Sequence, residues 1–178
     1  MDNQLLYLVL TILALGLALN LKLTMAVLHT SRREREELVI LQPGAAVPVI
    51  QAQALQQRAT LPLPAPGQAS VMLFMSSKCP KCRAALAQLE QLVSDAEQAG
   101  LALWLVSEEP AWRLRRFLHG SALLERVARV KINDYRQLNA RLLSPAYFFI
   151  NHEGLLEAAG LIGDENWLGL RAQLEESA

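Results

Sequence analysis

This 178-residue chain has no excess of charge of either sign: 17 basic and 17 acidic side chains cancel to a formal net charge of zero. The balance removes the bulk attraction that a basic protein has for nucleic acid, and there is no acidic tail. Histidine is scarce. His29, His119 and His152 are scattered and show no partner spacing. Cysteine is scarcer still, with only Cys79 and Cys82. A structural zinc site needs about four ligands and one CxxC pair supplies two, so no metal centre is expected. No Ser/His/Asp set, glycine-rich phosphate loop or nucleotide motif is present to indicate another chemistry.

Apolar residues, in contrast, make up 52 % of the chain. The excess is concentrated in Leu5–Leu28, "LLYLVLTILALGLALNLKLTMAVL", where Lys22 is the only charged residue. As a helix this run spans about 36 Å, against about 30 Å of bilayer hydrocarbon. It is apolar all round, unlike an amphipathic helix on a soluble core. A cleaved signal peptide would carry a basic leading region and a shorter apolar run. Residues 1–28 are therefore expected to be an uncleaved single-span anchor, with contact to the membrane through residues 5–28. Lys22, Arg32, Arg33 and Arg35 all lie at the C-terminal end of the span or beyond it, and no Lys or Arg precedes it. Counted literally, the positive-inside rule places the C-terminal domain in the cytoplasm.

Residues 29–39 form a charged juxtamembrane segment that reads as a solvated helical extension, with Arg33 and Glu37 at helical spacing. The third region, 40–178, is expected to fold as one domain. Its first part, 40–70, is rich in proline and reads as linker with a short hairpin or isolated strands. From Val71 the pattern is regular. "VMLFM" and "LALWLV" read as buried strands, 80–99 as a helix ended by Gly100, and Pro110 as the opening of a further helix with Glu108 and Glu109 at its acidic start. "WRLRRF", 112–117, is read as one solvated helix face. "ARVKI", 128–132, is a short strand, followed by a helix capped by Asn133 or Asp134 and running through Arg141. "AYFFI", the turn "NHEG", "LLEAAGLI" and a helix from Asp164 to Glu176 complete a β-α-β-α-β-α-β-β-α order. Such alternation implies an α/β fold, a mixed sheet flanked by helices.

Both cysteines lie in "VMLFMSSKCPKCRAAL", where the first strand meets the first helix. That junction places Cys79 at a helix N-terminus, where unpaired N–H groups and the positive helix end favour a thiolate. Pro80 suits the first helical position, which needs no N–H. Lys78, Lys81 and Arg83 add positive charge, so Lys78, Pro80 and Lys81 are candidate thiolate-tuning residues. Cys82 lies about one turn on, on the same face. Cys79 is the expected nucleophile and Cys82 the resolving thiol. The redox-active Cys79–Cys82 disulfide would itself be the redox group, with no further cofactor.

At these residues the chain resembles the thioredoxin superfamily over roughly 40–178. "CPKC" sits at the strand–helix junction, and "SPAYFFINHEG" resembles that fold's cis-proline segment. The resemblance implies that Pro145 is cis and faces the cysteines, and that Ser144 and Pro145 dock the substrate. With the anchor ending in "AVLH", "PGAAVP" and "SPAYFFINHEGLLEAAGLI" included, the chain also resembles the methylamine utilisation accessory protein (MauD) family, among the anchored, TlpA-like thiol–disulfide oxidoreductases. That resemblance implies a bacterial inner-membrane protein with a periplasmic catalytic domain. It also implies maturation of a client, the disulfide-rich small subunit of methylamine dehydrogenase, and a membrane redox partner. Two departures stand out. Thioredoxins carry a buried Asp six residues before the first cysteine, where this chain has Leu73, and Lys78 occupies the place of a frequent Trp. These departures leave oxidase, isomerase and specialised reductant open, including a reductant for cytochrome c maturation. A non-catalytic assembly chaperone using the Ser144–Pro145 surface is the alternative of another class.

Overall fold

The computed structural model describes residues 2–36, 41–57 and 59–177. The chain divides into two units, Met1–Leu38 and Val39–Ala178. The first is one helix, α1 (Asp2–Glu36). Its segment Asn3–Ala26 is long and apolar enough to cross a membrane. Leu5, Leu13, Leu17 and Leu21 are each at least 60 % exposed, so these side chains are not packed into a protein core. The helix continues to Glu36 as the charged extension, while the expected Arg33–Glu37 pair lies outside the described residues.

The second unit is built on one seven-stranded mixed sheet. Its elements are β1 (Ile50–Ala54), β2 (Thr60–Leu63), β3 (Ser70–Phe74), α2 (Pro80–Gln98), β4 (Ala102–Ser107), α3 (Ala111–Phe117), a 3-10 turn (Ala122–Arg126), β5 (Val127–Arg129), α4 (Ile132–Leu138), β6 (Ala146–Ile150), β7 (Leu156–Leu161) and α5 (Glu165–Ser177). The strand order is β2-β1-β5-β4-β3-β6-β7. The central strands β3, β4 and β5 are parallel, and the flanking pairs are antiparallel.

Side-chain alternation along β3 explains the two-sided core. Val71 and Leu73 join a cluster with Leu89, Leu92, Leu114 and Trp167, from α2, α3 and α5. Met72 and Phe74 join another with Tyr135 and Leu138 of α4 and with Phe148. Because both faces of β3 are covered, all five of its residues are buried.

Within 40–70 the short hairpin expected there forms from β1 and β2, and it extends the sheet beyond β5. Pro62 is tolerated there because β2 is an edge strand. Three sequence expectations are corrected. The strand expected at 128–132 covers 127–129 instead. Lys131 then caps α4 with its backbone and no side-chain bond, so Asn133 and Asp134 are inside the helix rather than at its cap. Finally, α4 stops at Leu138, short of Arg141. The turn at 151–154 forms as expected. Asn151 Oδ1 accepts the Glu153 and Leu155 N–H groups, and Gly154 supplies a φ of 81°.

Strand register brings one end of the sheet together. Phe74 pairs with Val106 on one side and with Ala146 on the other. The turn after β3, the loop after β4 and the segment entering β6 therefore converge, and this end holds both cysteines.

Candidate active site

Met75 is the last fully buried residue leaving β3. The chain then turns, with the Cys79 N–H donating to Ser76 O at 3.1 Å, and delivers Cys79 as the N-cap of α2. In place of the usual Ser or Asp oxygen, the Cys79 sulfur accepts the Cys82 N–H at 3.3 Å. Pro80 follows as the first helical residue, where its missing N–H costs nothing. Cys79 is partly exposed, whereas Cys82 is fully buried, and both are free thiols.

The two sulfurs are tuned in opposite directions. For Cys79, burial alone would raise the pKa. Hydrogen bonds from the Cys82 thiol and N–H, the Ser144 side chain and the Lys81 N–H outweigh burial, and the pKa falls below its ordinary value. For Cys82 burial wins. Its pKa is pushed up to about 11, against partial relief from the Ser76 N–H, with the neighbouring Cys79 adding to the rise. At neutral pH the Cys79 sulfur thus has more thiolate character than the Cys82 sulfur.

The opposite wall is the segment entering β6. The Ser144–Pro145 bond is cis. In its protonated form the Cys79 thiol donates to Ser144 O at 3.4 Å. Pro145 is buried, and its carbonyl accepts the Ile162 N–H at 3.1 Å. The structure thus brings Cys79, Cys82 and Ser144 into direct contact through named bonds. Lys78 and Lys81 project outward as exposed side chains. Lys81 influences Cys79 through its main-chain N–H. Arg83 lies over the Phe117 ring, 5.7 Å from its centroid.

Two polar residues at this end were not singled out from the sequence. Glu109, expected at the acidic start of a helix, instead turns inward and is 6 % exposed. Its Oε1 accepts the Ser76 hydroxyl at 2.8 Å and the Ser77 N–H at 2.9 Å, and its Oε2 accepts the Ser77 hydroxyl. Burial raises its pKa, but these bonds and nearby Arg113 outweigh burial, so the carboxyl is held below its ordinary value. Asn139 ends α4 and pins the next loop. Its Oδ1 accepts the Leu143 N–H at 2.9 Å, and its Nδ2 donates to Leu143 O at 2.8 Å. Both partnerships are long-range or lie past a helix end, where sequence periodicity carries no signal. Leu73, at the position of the thioredoxin Asp, is fully buried in the apolar core.

No protein-family model and no curated protein sequence matches the chain. Solved structures do. A thioredoxin domain of a thiol–disulfide oxidoreductase from Bacteroides vulgatus superposes with a TM-score of 0.64 at 16 % identity, covering 75 % of this chain and 99 % of that one. A protein described as the thiol:disulfide interchange protein DsbE, from Chlorobium tepidum, gives 0.65 at 17 %, covering 77 % and 98 %. A peroxiredoxin-like protein from Aquifex aeolicus gives 0.61 at 18 %, covering 78 % and 88 %. The fold of the second unit is thioredoxin-like.

Proposed function

We propose that this protein is a membrane-anchored thiol–disulfide oxidoreductase. One observation carries the reading: Cys79 is the N-cap of α2, its sulfur accepting the Cys82 N–H beside the Ser144 carbonyl. That arrangement combines a nucleophile of lowered pKa with a second thiol one helical turn away. Cys79 attacks a client disulfide, or its own disulfide is attacked by a client thiolate. Cys82 closes or opens the Cys79–Cys82 bond in the paired step. The solved thiol–disulfide oxidoreductases of the same fold support this chemistry.

The finer reading follows the sequence resemblance. The client is an exported protein with several cysteines, of the kind exemplified by the methylamine dehydrogenase small subunit. Ser144 and Pro145 dock it, a membrane redox partner resets the pair, and α1 holds the domain at the inner membrane facing the periplasm. An oxidising compartment is where client disulfides persist. The arginines after the span oppose this orientation, but long domains after a span translocate largely regardless of charge.

The test of function is complementation. A strain lacking the protein receives either the wild-type chain or the variant with both cysteines replaced by serine. Client maturation only with the wild type supports exchange. Equal maturation with both would leave a chaperone on this fold as the better account. Orientation is read by labelling Cys79 in cells with a permeabilised outer membrane, using a thiol reagent that cannot cross the inner membrane. Labelling only after inner-membrane lysis would place the domain in the cytoplasm.

A further inference from the structure

We propose that Glu109 is a positioning residue for the resolving thiol: its carboxylate clamps the Ser76–Ser77 turn so that the Ser76 N–H is aimed at Cys82 Sγ. The proposal rests on the thiol–disulfide reading of this site. A buried carboxylate is costly unless its oxygens are satisfied. Here all three close donors, the Ser76 hydroxyl and the Ser77 N–H and hydroxyl, come from two consecutive residues 32 and 33 positions away. Arg113 Nε lies 4.0 Å from Oε2. The backbone of Glu109 is itself held. Its N–H donates to Ser107 Oγ at 3.3 Å, and its carbonyl accepts from Arg129 Nε at 3.1 Å. The carboxylate is therefore a fixed post against which the turn is tied.

The turn so tied touches both thiols. The Ser76 N–H donates to Cys82 Sγ at 3.5 Å, and Ser76 O accepts the Cys79 N–H at 3.1 Å. The step that depends on this arrangement is resolution. In it the Cys82 sulfur attacks Cys79 Sγ of a Cys79–client mixed disulfide. The Cys79–Cys82 bond forms, the client–sulfur bond breaks, and the client leaves as a thiol carrying the proton that Cys82 gives up. Client is reduced and the pair oxidised, and the reverse direction passes through the same atoms. A donor aimed at Cys82 steadies the thiolate that attacks or departs. The attack by Cys79 itself has other supports, from the Cys82 N–H of α2 and the Ser144 side chain.

The test uses the full chain in detergent, fully reduced, and a nitrobenzoate disulfide that releases a coloured thiolate. The first equivalent of colour reports attack by Cys79, and the second reports resolution by Cys82. Losing one well-aligned hydrogen bond is worth about tenfold in rate. Glu109→Ala should slow the second phase by about tenfold and leave the first phase and its pH profile unchanged. Glu109→Gln should stay within about threefold of wild type. Its amide oxygen can accept the two Oε1 bonds, and the Ser77 hydroxyl can rotate to accept from the amide nitrogen. Should Glu109→Ala fail to fold, a double variant of Ser76→Ala and Ser77→Ala removes two donors with Glu109 in place. It is expected to show the same selective slowing. Wild-type resolution in Glu109→Ala, or in the Ser76→Ala and Ser77→Ala double variant where Glu109→Ala does not fold, would overturn the proposal. So would a Gln variant as slow as the Ala variant, since charge and not the clamp would then be responsible. A wild-type chain that gives no first phase would instead sink the exchange reading, and this proposal with it.

Discussion

The two thiols are three residues apart, yet the walls behind them are built from different materials. Cys82 backs onto a turn tied to the carboxylate of Glu109. Cys79 faces a loop tied to the neutral amide of Asn139, which holds Leu143 just before Ser144. A charge-assisted anchor is strong but titrates, whereas an amide anchor is weaker per bond and indifferent to pH. The wall facing Cys79 is therefore constant over the pH range in which the wall behind Cys82 can be released.

The largest effects come from the thiols themselves. Cys79→Ser is expected to reduce exchange with a model disulfide substrate to background. Cys82→Ser is expected to leave the first attack intact and trap a mixed disulfide through Cys79, visible by mass spectrometry. The reverse outcome, trapping in Cys79→Ser, would exchange the roles assigned to the two walls.

Breaking the neutral wall comes next. Asn139 is buried, and Asn139→Ala strands the N–H and carbonyl of Leu143. The expected cost is about 1–3 kcal/mol in urea unfolding of the full chain. Exchange should slow in its first phase, since Cys79 loses the fixed Ser144 side-chain donor that helps to lower its pKa, and a variant slowed only in resolution would contradict the division of labour.

Acid sharpens the comparison further. The Glu109 pKa is lowered in the fold relative to its ordinary 4.5, so its ionised form adds stability above that value. The contribution is lost as pH falls through the lower folded value. Unfolding midpoints measured downward from pH 5 should fall less steeply for Glu109→Gln than for wild type, while Asn139→Ala should keep the wild-type steepness. Cys82 carries the opposite sign. Its raised pKa gives stability that is full below 9.0 and lost as pH rises through about 11, a loss that Cys82→Ser should lack.

The smallest effect expected is at Lys81, whose side chain is exposed and whose main chain makes the contact. Lys81→Gln should move the Cys79 titration by only a few tenths of a unit, in the range of a screened surface charge. A shift of a full unit would restore the side-chain charge to the tuning role expected from the sequence.

How much of this was legible beforehand depends on how local each signal is. The β3–α2 junction and the place of Pro80 in it rest on residues within one short stretch, and both could be read. The central strands could be read because both of their faces are covered, which makes them continuous apolar runs. A short hairpin in 40–70 could be read, but its bounds and its place beside β5 were obscured by small alanines and glutamines and by Pro62, although Ile50, Ala52 and Ala54 do alternate inward. Glu109 was read as a helix-start acid because spacing reports neighbours along the chain. Its partners are more than thirty residues away and meet it only once β3 and β4 pair in parallel.

The most direct measurement of the central claim is the pH dependence of alkylation at each cysteine in the reduced wild-type chain, resolved by peptide mass spectrometry from initial rates. Cys79 should react with a midpoint below the ordinary thiol value of 9.0, and Cys82 should remain protected until the pH nears about 11. Coincident midpoints, or Cys82 reacting at the lower pH, would contradict the assignment of Cys79 as nucleophile and Cys82 as resolving thiol.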